Sequence, residues 1–158
     1  MPTLILRPET AQDAPFLRRL YAVTRVEEMA YLPLSEEQKA AFLTMQYDLR
    51  QSQYRHNYPD ADFLIVSIFD NPAGRIAVHR GDAVFHLIDI ALLPEWRGQG
   101  IGGRLITDLL SEASRQAKSV RLHVQADSCA MTLYHRLGFI TVKSEGLYGL
   151  MEWHDNPT

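Results

Sequence analysis

Apolar positions recur along the chain with two periods, and the switches between them lay out its elements. Residues 3–7 read as a short edge strand ahead of Pro8. From Thr10 the period lengthens, and Leu17, Leu20, Tyr21 and Thr24 keep helical spacing. Asp13 is placed to close a capping box on Thr10. Pro33 stops this region. Ser35-Glu36-Glu37-Gln38 is a second capping box, and Phe42, Leu43, Met45, Gln46 and Leu49 carry a helix to about Tyr54. Residues 63–69 form a strand. The run Asp70-Asn71-Pro72-Ala73-Gly74 reads as a turn, with proline presetting φ and glycine supplying the bend. Residues 75–80 and 84–93 are further strands, joined through Gly81 and Asp82.

The strand 84–93 is apolar on both faces, through Phe85, Leu87, Ile88 and Ile90. Such a strand belongs in the middle of a sheet with helices above and below it. Ile101, Leu105, Ile106, Leu109, Leu110 and Ala113 then form the buried stripe of a helix, with Arg104, Asp108, Glu112 and Arg115 on its wet side. Residues 120–125 should follow a right-handed crossover and run parallel to 84–93. A helix over 128–137 has Gly138 just past its end. Residues 139–143 and 147–153 close the sheet as an antiparallel pair. There is no repeat, linker or low-complexity segment. The order predicts an α/β fold (α+β by some schemes) in a single domain over residues 1–158, with one mixed sheet and helices on both faces.

Composition narrows the function more than the fold. A chain of 158 residues can build one real core. A net charge of −3 without a charge block argues against a general nucleic-acid binder, which needs a basic stripe. No apolar run approaches the roughly 18 residues of a membrane span, and a signal peptide's basic and apolar regions are missing. The lone Cys129 cannot close an internal disulfide, so a reducing, cytoplasmic setting is expected. The histidines show no ligand pair at helical spacing, so no metal is expected.

The densest chemistry lies in Ile90-Ala91-Leu92-Leu93-Pro94-Glu95-Trp96-Arg97-Gly98-Gln99-Gly100-Ile101-Gly102-Gly103. An apolar strand ends at Pro94, a glycine-rich turn follows, and a helix begins at once. The first amides of a helix are unpaired and its dipole favours negative charge, so the turn suits a phosphate or pyrophosphate. The amides of residues 98–103 would hold it and Arg97 could add charge; the alternatives are a glycine turn without a ligand and a solvated arginine. A Walker loop would end in Gly-Lys-Ser/Thr, but this turn ends Gly102-Gly103-Arg104. The glycines fit a dinucleotide fingerprint by counting, but Val120–Gln125, about 20 residues on, offers no carboxylate.

Arg97-Gly98-Gln99-Gly100-Ile101-Gly102 resembles the Arg/Gln-x-x-Gly-x-Gly/Ala signature of the GNAT superfamily of acyl-CoA N-acyltransferases. A second segment agrees. Asp127, Ala130, Leu133, Tyr134, Gly138 and Phe139 are spaced like that family's Asn-x-x-Ala-x-x-Leu-Tyr-x-x-x-Gly-Phe. The tail Tyr148-Gly149-Leu150-Met151-Glu152 resembles its last strand. The likeness covers roughly residues 62–153, and more loosely Leu6-Arg7-Pro8.

The resemblance implies a mostly antiparallel mixed sheet, acetyl-CoA as cosubstrate, and direct transfer to a primary amine in a ternary complex. It places the pantetheine arm along the backbone of Ile90, Ala91 and Leu92. It makes Tyr134 the general acid for the departing thiolate; a tyrosine packed under the sheet is the alternative. Asp127 stands where the family usually has asparagine, keeping the acceptor oxygen but losing the amide donor, and it could instead cap a helix. His86, eleven residues before Arg97, is the candidate base, with an ordinary pKa near 6.5 suited to the task; a buried histidine with bonded nitrogens is the alternative. Asp89 is its rival, although an aspartate in an apolar strand needs a partner of its own. His123 alternates with inward residues and reads as structural or merely nearby. Arg25, Glu27 and Glu28 border the acceptor pocket or form a solvated helix end. Cys129 has no spaced partner that would make it a nucleophile. The expected acceptor is a small-molecule amine or a protein N-terminus, and family members commonly pair as homodimers. A CoA-binding regulatory module without turnover and a nucleotide-binding protein using the same turn are the rival readings.

Overall fold

The computed structural model describes residues 3–126 and 128–155. Its seven strands form one mixed, mostly antiparallel sheet in the order β1-β2-β3-β4-β5-β7-β6. The chain divides into two compact units. One holds the residues up to Ala77 together with Asp89–Arg97; the other holds Val78–Ile88 and the chain from Gly98 on.

In the first unit β1 (Leu4–Pro8) pairs antiparallel with β2 (Asp62–Ile68), from Leu4↔Ile68 to Pro8↔Leu64. Between them lie a short 3-10 turn, α1 (Ala14–Thr24), α2 (Val26–Ala30) and α3 (Glu36–Asn57). Both expected capping boxes sit at element starts. Asp13 accepts the Thr10 N–H at 2.8 Å. Ser35 Oγ accepts the Gln38 N–H at 3.1 Å, while Gln38 Oε1 accepts the Ser35 N–H at 2.9 Å. Such caps satisfy amides that the helix cannot and are worth about 1 kcal/mol each. Leu17, Tyr47 and Ile65 form a buried cluster, with Phe16 and Tyr21 packed against it. Burying a side chain of that size contributes about 1.5–3 kcal/mol. The helix α3 runs three residues past Tyr54, the expected end. The cation Arg55 in its last turn complements the helix dipole, a signal that apolar spacing does not carry.

One expected turn is shorter than the sequence suggested. Only Phe69 and Asp70 bend the chain, with φ of 51° and 64°, and Asn71–Gly74 already belongs to β3 (Asn71–Arg80). Two residues at positive φ make the tight hairpin turn whose twist matches the flanking strands. The glycine at 74 serves another purpose. A Cβ there would lie 2.3 Å from Ala91 O, so glycine lets the end of β4 (Val84–Leu92) approach.

The second unit contains the helix α4 (Ile101–Arg115), β5 (Ser119–Gln125), α5 (Ala130–Arg136), β6 (Ile140–Glu145) and β7 (Tyr148–Trp153). The crossover through α4 makes β5 parallel to β4, as expected, over Val84↔Ser119 to Leu87↔Leu122. On its other side β5 pairs antiparallel with β7, from Val120↔Trp153 to Gln125↔Tyr148. The expected helical stripe is the buried one: Ile101, Leu105, Ile106, Leu109, Leu110 and Ala113. Strand β4 is not apolar and buried on both faces. Phe85 and Leu87 are buried, whereas His86 and Ile88 are half-buried. The apolar run hid this alternation because Ile88 faces the same way as a histidine.

Candidate active site

The glycine turn follows a 3-10 turn at Pro94–Trp96 and leads straight into α4. Gly98 and Gly100 have φ of 72° and 80°, values costly for a residue with a Cβ, and Gly100 is the N-cap. The first bond of the helix closes from Arg104 N to Gly100 O at 3.0 Å. The amides of Ile101, Gly102 and Gly103 therefore have no acceptor within the helix. The side chain of Ile101 is buried, so this residue can offer a ligand only its backbone. Gly102 is the informative position. Its φ is not in the left-handed region, and a Cβ built on it meets no atom within 4 Å. Nothing in the fold demands glycine there, although alanine would stabilise a helix by about 0.5–1 kcal/mol. A bare backbone at that point suits close approach by a ligand, and the exposed turn, leading into amides with no acceptor in the helix, fits a diphosphate.

Arg97 and Gln99 are exposed. Arg97 Nε donates to Leu92 O at 2.9 Å, which ties the arginine to the end of β4. Of the three residues expected along pantetheine, Ala91 turns its carbonyl toward Gly74, and Leu93 N donates to Ala73 O at 2.8 Å. Residues 91 and 93 thus direct their backbone toward β3, and by the period of the strand Ile90 and Leu92 direct theirs the other way.

Tyr134 lies on α5, buried, with its ring centroid 5.8 Å from that of Phe139. Its neighbour Leu133 meets the turn: Leu133 Cδ1 would be 3.8 Å from a Cβ at Gly103. The two sequence segments that carry the resemblance therefore pack together. Asp127 lies outside the described residues. Cys129 is free and exposed.

One histidine differs from the ordinary imidazole expected of a base. His86 is half-buried, and its pKa is pushed down to about 4, first by burial and then by His123, Arg121 and His79. It is neutral at physiological pH, with a far weaker affinity for a proton than the ordinary imidazole expected. His123 is exposed, and its ring centroid lies 5.4 Å from that of His86. Beside it Arg121 donates to Glu152 Oε1 from Nε at 2.9 Å, and Glu152 Oε2 meets His154 Nε2 at 3.1 Å. The Glu152 carboxyl is accordingly held below its ordinary value.

In the first unit Asp89 has the partner its setting required. Its Oδ2 is 3.8 Å from Arg75 Nη1. Arg75 is 3% exposed and forms an ion pair with Glu9, 5% exposed, at 3.3 Å. Arg55 reaches Glu9 at 2.7 Å, and Arg50 Nε donates to the Tyr54 hydroxyl at 2.6 Å. Sequence reasoning missed this network because Glu9, residues 50–55 and Arg75 are joined only by folding. A strand arginine directly after a glycine was the available signal. Arg25 bonds Glu28 at 3.1 Å and stacks on Tyr21. A cavity of about 650 Å³ opens in this unit among α1, α2 and α3, lined by Ala22, Val26, Met29 and Leu43, with Arg18 and Lys39 at its edge. Among the described residues no cluster of three or more His, Cys, Asp or Glu is placed to hold a metal, and no helix is long and apolar enough to cross a membrane.

Solved structures share this fold. The PaiA N-acetyltransferase of Thermoplasma acidophilum in complex with coenzyme A superposes with a TM-score of 0.73 at 19% identity, covering 97% of this chain and 99% of that one. An acetyltransferase from Thermus thermophilus gives 0.70 at 18% identity, covering 98% and 100%. A GNAT family acetyltransferase from Elizabethkingia anophelis with acetyl-CoA bound gives 0.62 at 16% identity, covering 96% and 98%. No curated protein sequence matches this chain. The sequence profile of the acetyltransferase (GNAT) domain matches residues 31–152, a span that includes the glycine turn and the Leu133-Tyr134 segment packed against it. With most of its length under that match, the chain belongs to the GNAT acetyltransferase family.

Proposed function

We propose that the whole chain, residues 1–158, acts as one N-acetyltransferase domain that moves an acetyl group from acetyl-CoA to a primary amine of a small molecule or a protein N-terminus. The observation that carries this reading is the turn at Gly98–Gly103, with first-turn amides that have no acceptor within the helix and a glycine at 102 that the fold itself does not need. Those amides receive the diphosphate of the cosubstrate, with Gln99 and Arg97 at its edge. Ile90, Ala91 and Leu92 lie along the pantetheine, and Asp127 is a further candidate contact to it; Ile90 and Leu92 supply the backbone groups turned away from β3. Binding orients the thioester carbonyl, and directed amide dipoles stabilise the oxyanion that forms on it.

His86 accepts the proton that the acceptor must lose. Being neutral over the physiological range, it needs no prior deprotonation. Its low pKa makes it a weak base, so the proton must leave it readily. Tyr134 protonates the sulfur as the C–S bond breaks, a transfer typically worth 10²–10⁴-fold. Asp89 is held by Arg75 and serves the fold rather than the proton.

The test is a panel of amines, amino acids and peptides with acetyl-CoA, followed by thiol detection. Free thiol formed together with an acetylated amine supports the reading. Tight CoA binding with no acylated product overturns it in favour of a regulatory module. Tight NAD binding without CoA binding overturns both.

A further inference from the structure

The second unit brings two imidazoles together in an order that the base assignment does not use. His86 on β4 is in register with Arg121 on β5, and His123 lies two residues further along β5. The strand period puts His86, Arg121 and His123 on one face. The His86 and His123 ring centroids are 5.4 Å apart and their planes are tilted by 31°. That separation is within the span of one bridging water. The parallel ladder ends at Leu87↔Leu122, so His123 occupies the first position of β5 beyond it. The inner ring is half-buried and the outer ring is exposed.

We propose that His123 takes the acceptor's proton on from His86 and delivers it to solvent, so that the two histidines form a relay. This rests on the reading of His86 as the base. His79 from β3, and Arg121 and His123 from β5, face His86, and each is or can become a cation. A proton on His86 is therefore pressed outward. Arg121 cannot take it, because its guanidinium is already protonated and is tied to Glu152. His79 is only half-exposed. His123 is the exposed imidazole of the three.

The steps balance. An ammonium N–H bond of the acceptor breaks, its electron pair stays on nitrogen, and the proton bonds to His86. His86 passes a proton to His123, which yields one to water. The freed amine attacks the thioester carbonyl carbon, the C–S bond breaks, and sulfur leaves with that bond's electron pair and takes the Tyr134 proton; the nitrogen's second N–H bond breaks, its pair stays on nitrogen, and that proton restores Tyr134. One proton reaches solvent for each ammonium acetylated.

The experiment compares the intact protein with His123→Gln and His86→Gln. In weak buffer His123→Gln should lower kcat by about 10²-fold, the low end for a lost proton-transfer group, with the KM for acetyl-CoA unchanged. Added imidazole should restore kcat in proportion to its concentration, which a purely structural defect would not allow. A nuclear magnetic resonance titration gives a readout that needs no turnover. In His123→Gln the His86 midpoint should rise, because a neighbouring cation is gone. Loss of activity in His86→Gln with full, buffer-independent activity in His123→Gln overturns the relay alone. Full activity in His86→Gln, or no acetyl transfer to any amine, overturns the base reading and the relay with it. An unmoved His86 midpoint also overturns the relay, whatever the kinetics.

Discussion

The ion network of the first unit and the histidine face of the second use charge in opposite ways. Around Arg75 every charge meets its complement: Glu9 at 3.3 Å, Asp89 at 3.8 Å, and Arg55 closing on Glu9 at 2.7 Å. Around His86 the neighbours are His79, Arg121 and His123, all of one potential sign. The first arrangement neutralises itself around a buried Arg75–Glu9 pair. The second is half-open and repels the proton it might hold. Polar groups that satisfy one another hold a fold in place, whereas groups that share a sign leave something for a ligand or a proton to do.

The comparison can be broken most forcefully at Arg75. Arg75→Ala leaves Glu9 with the exposed Arg55 alone and strips Asp89 of its ion pair, and should cost about 3–5 kcal/mol, read as a lower urea midpoint. The double variant Arg75→Met/Glu9→Leu should recover most of that loss, because desolvation then falls on neither charge. A mild effect of Arg75→Ala alone would mean the network is wetter than its burial indicates.

At the other pole, Tyr134→Phe should reduce kcat by about 10²-fold, or about 2.7 kcal/mol in the barrier, while the affinity for acetyl-CoA stays the same. Unchanged turnover would remove Tyr134 from the chemistry.

The glycine turn sharpens the contrast further. Gly100→Ala should destabilise by about 1–2 kcal/mol, because φ is 80° there. Gly102→Ala should do the reverse, raising the thermal midpoint through a gain of about 0.5–1 kcal/mol while weakening acetyl-CoA binding in a calorimetric titration. Stability and affinity that rise together at Gly102 would show that the ligand does not approach that backbone.

The smallest effect is in pH dependence. Asp13 is lowered from 3.8 to about 2, chiefly by its hydrogen bond from Arg7, and His86 is lowered from 6.5 to about 4, chiefly by burial. In both cases the unfolded chain binds the proton more readily than the folded one, so stability falls as pH falls. The His86 contribution is complete above its unfolded pKa of 6.5 and is lost on the way down to about 4. The Asp13 contribution is complete above 3.8 and is lost on the way down to about 2. Denaturation midpoints should therefore decline in two separate windows. His86→Asn should erase the upper one and Asp13→Asn the lower.

Much of the fold was legible because its signals are local. The capping residues at Thr10 and Ser35, the stripe from Ile101 to Ala113 and the strand-turn-helix around Pro94 each state their structure within a few neighbours. The turn after Phe69 was misjudged because Gly74 looks like a bend in sequence but answers to Ala91, seventeen residues away.

Sequence alone settled the order and type of the elements, the glycine turn and the family likeness, since backbone propensity, periodicity and the need for bare backbone are written residue by residue. Tertiary structure decided which charges meet. It gave Asp89 to Arg75, set His123 beside His86, and laid Leu133 against the helix start. Pairing energies depend on distance and burial, and both come into being only when distant segments close on one another.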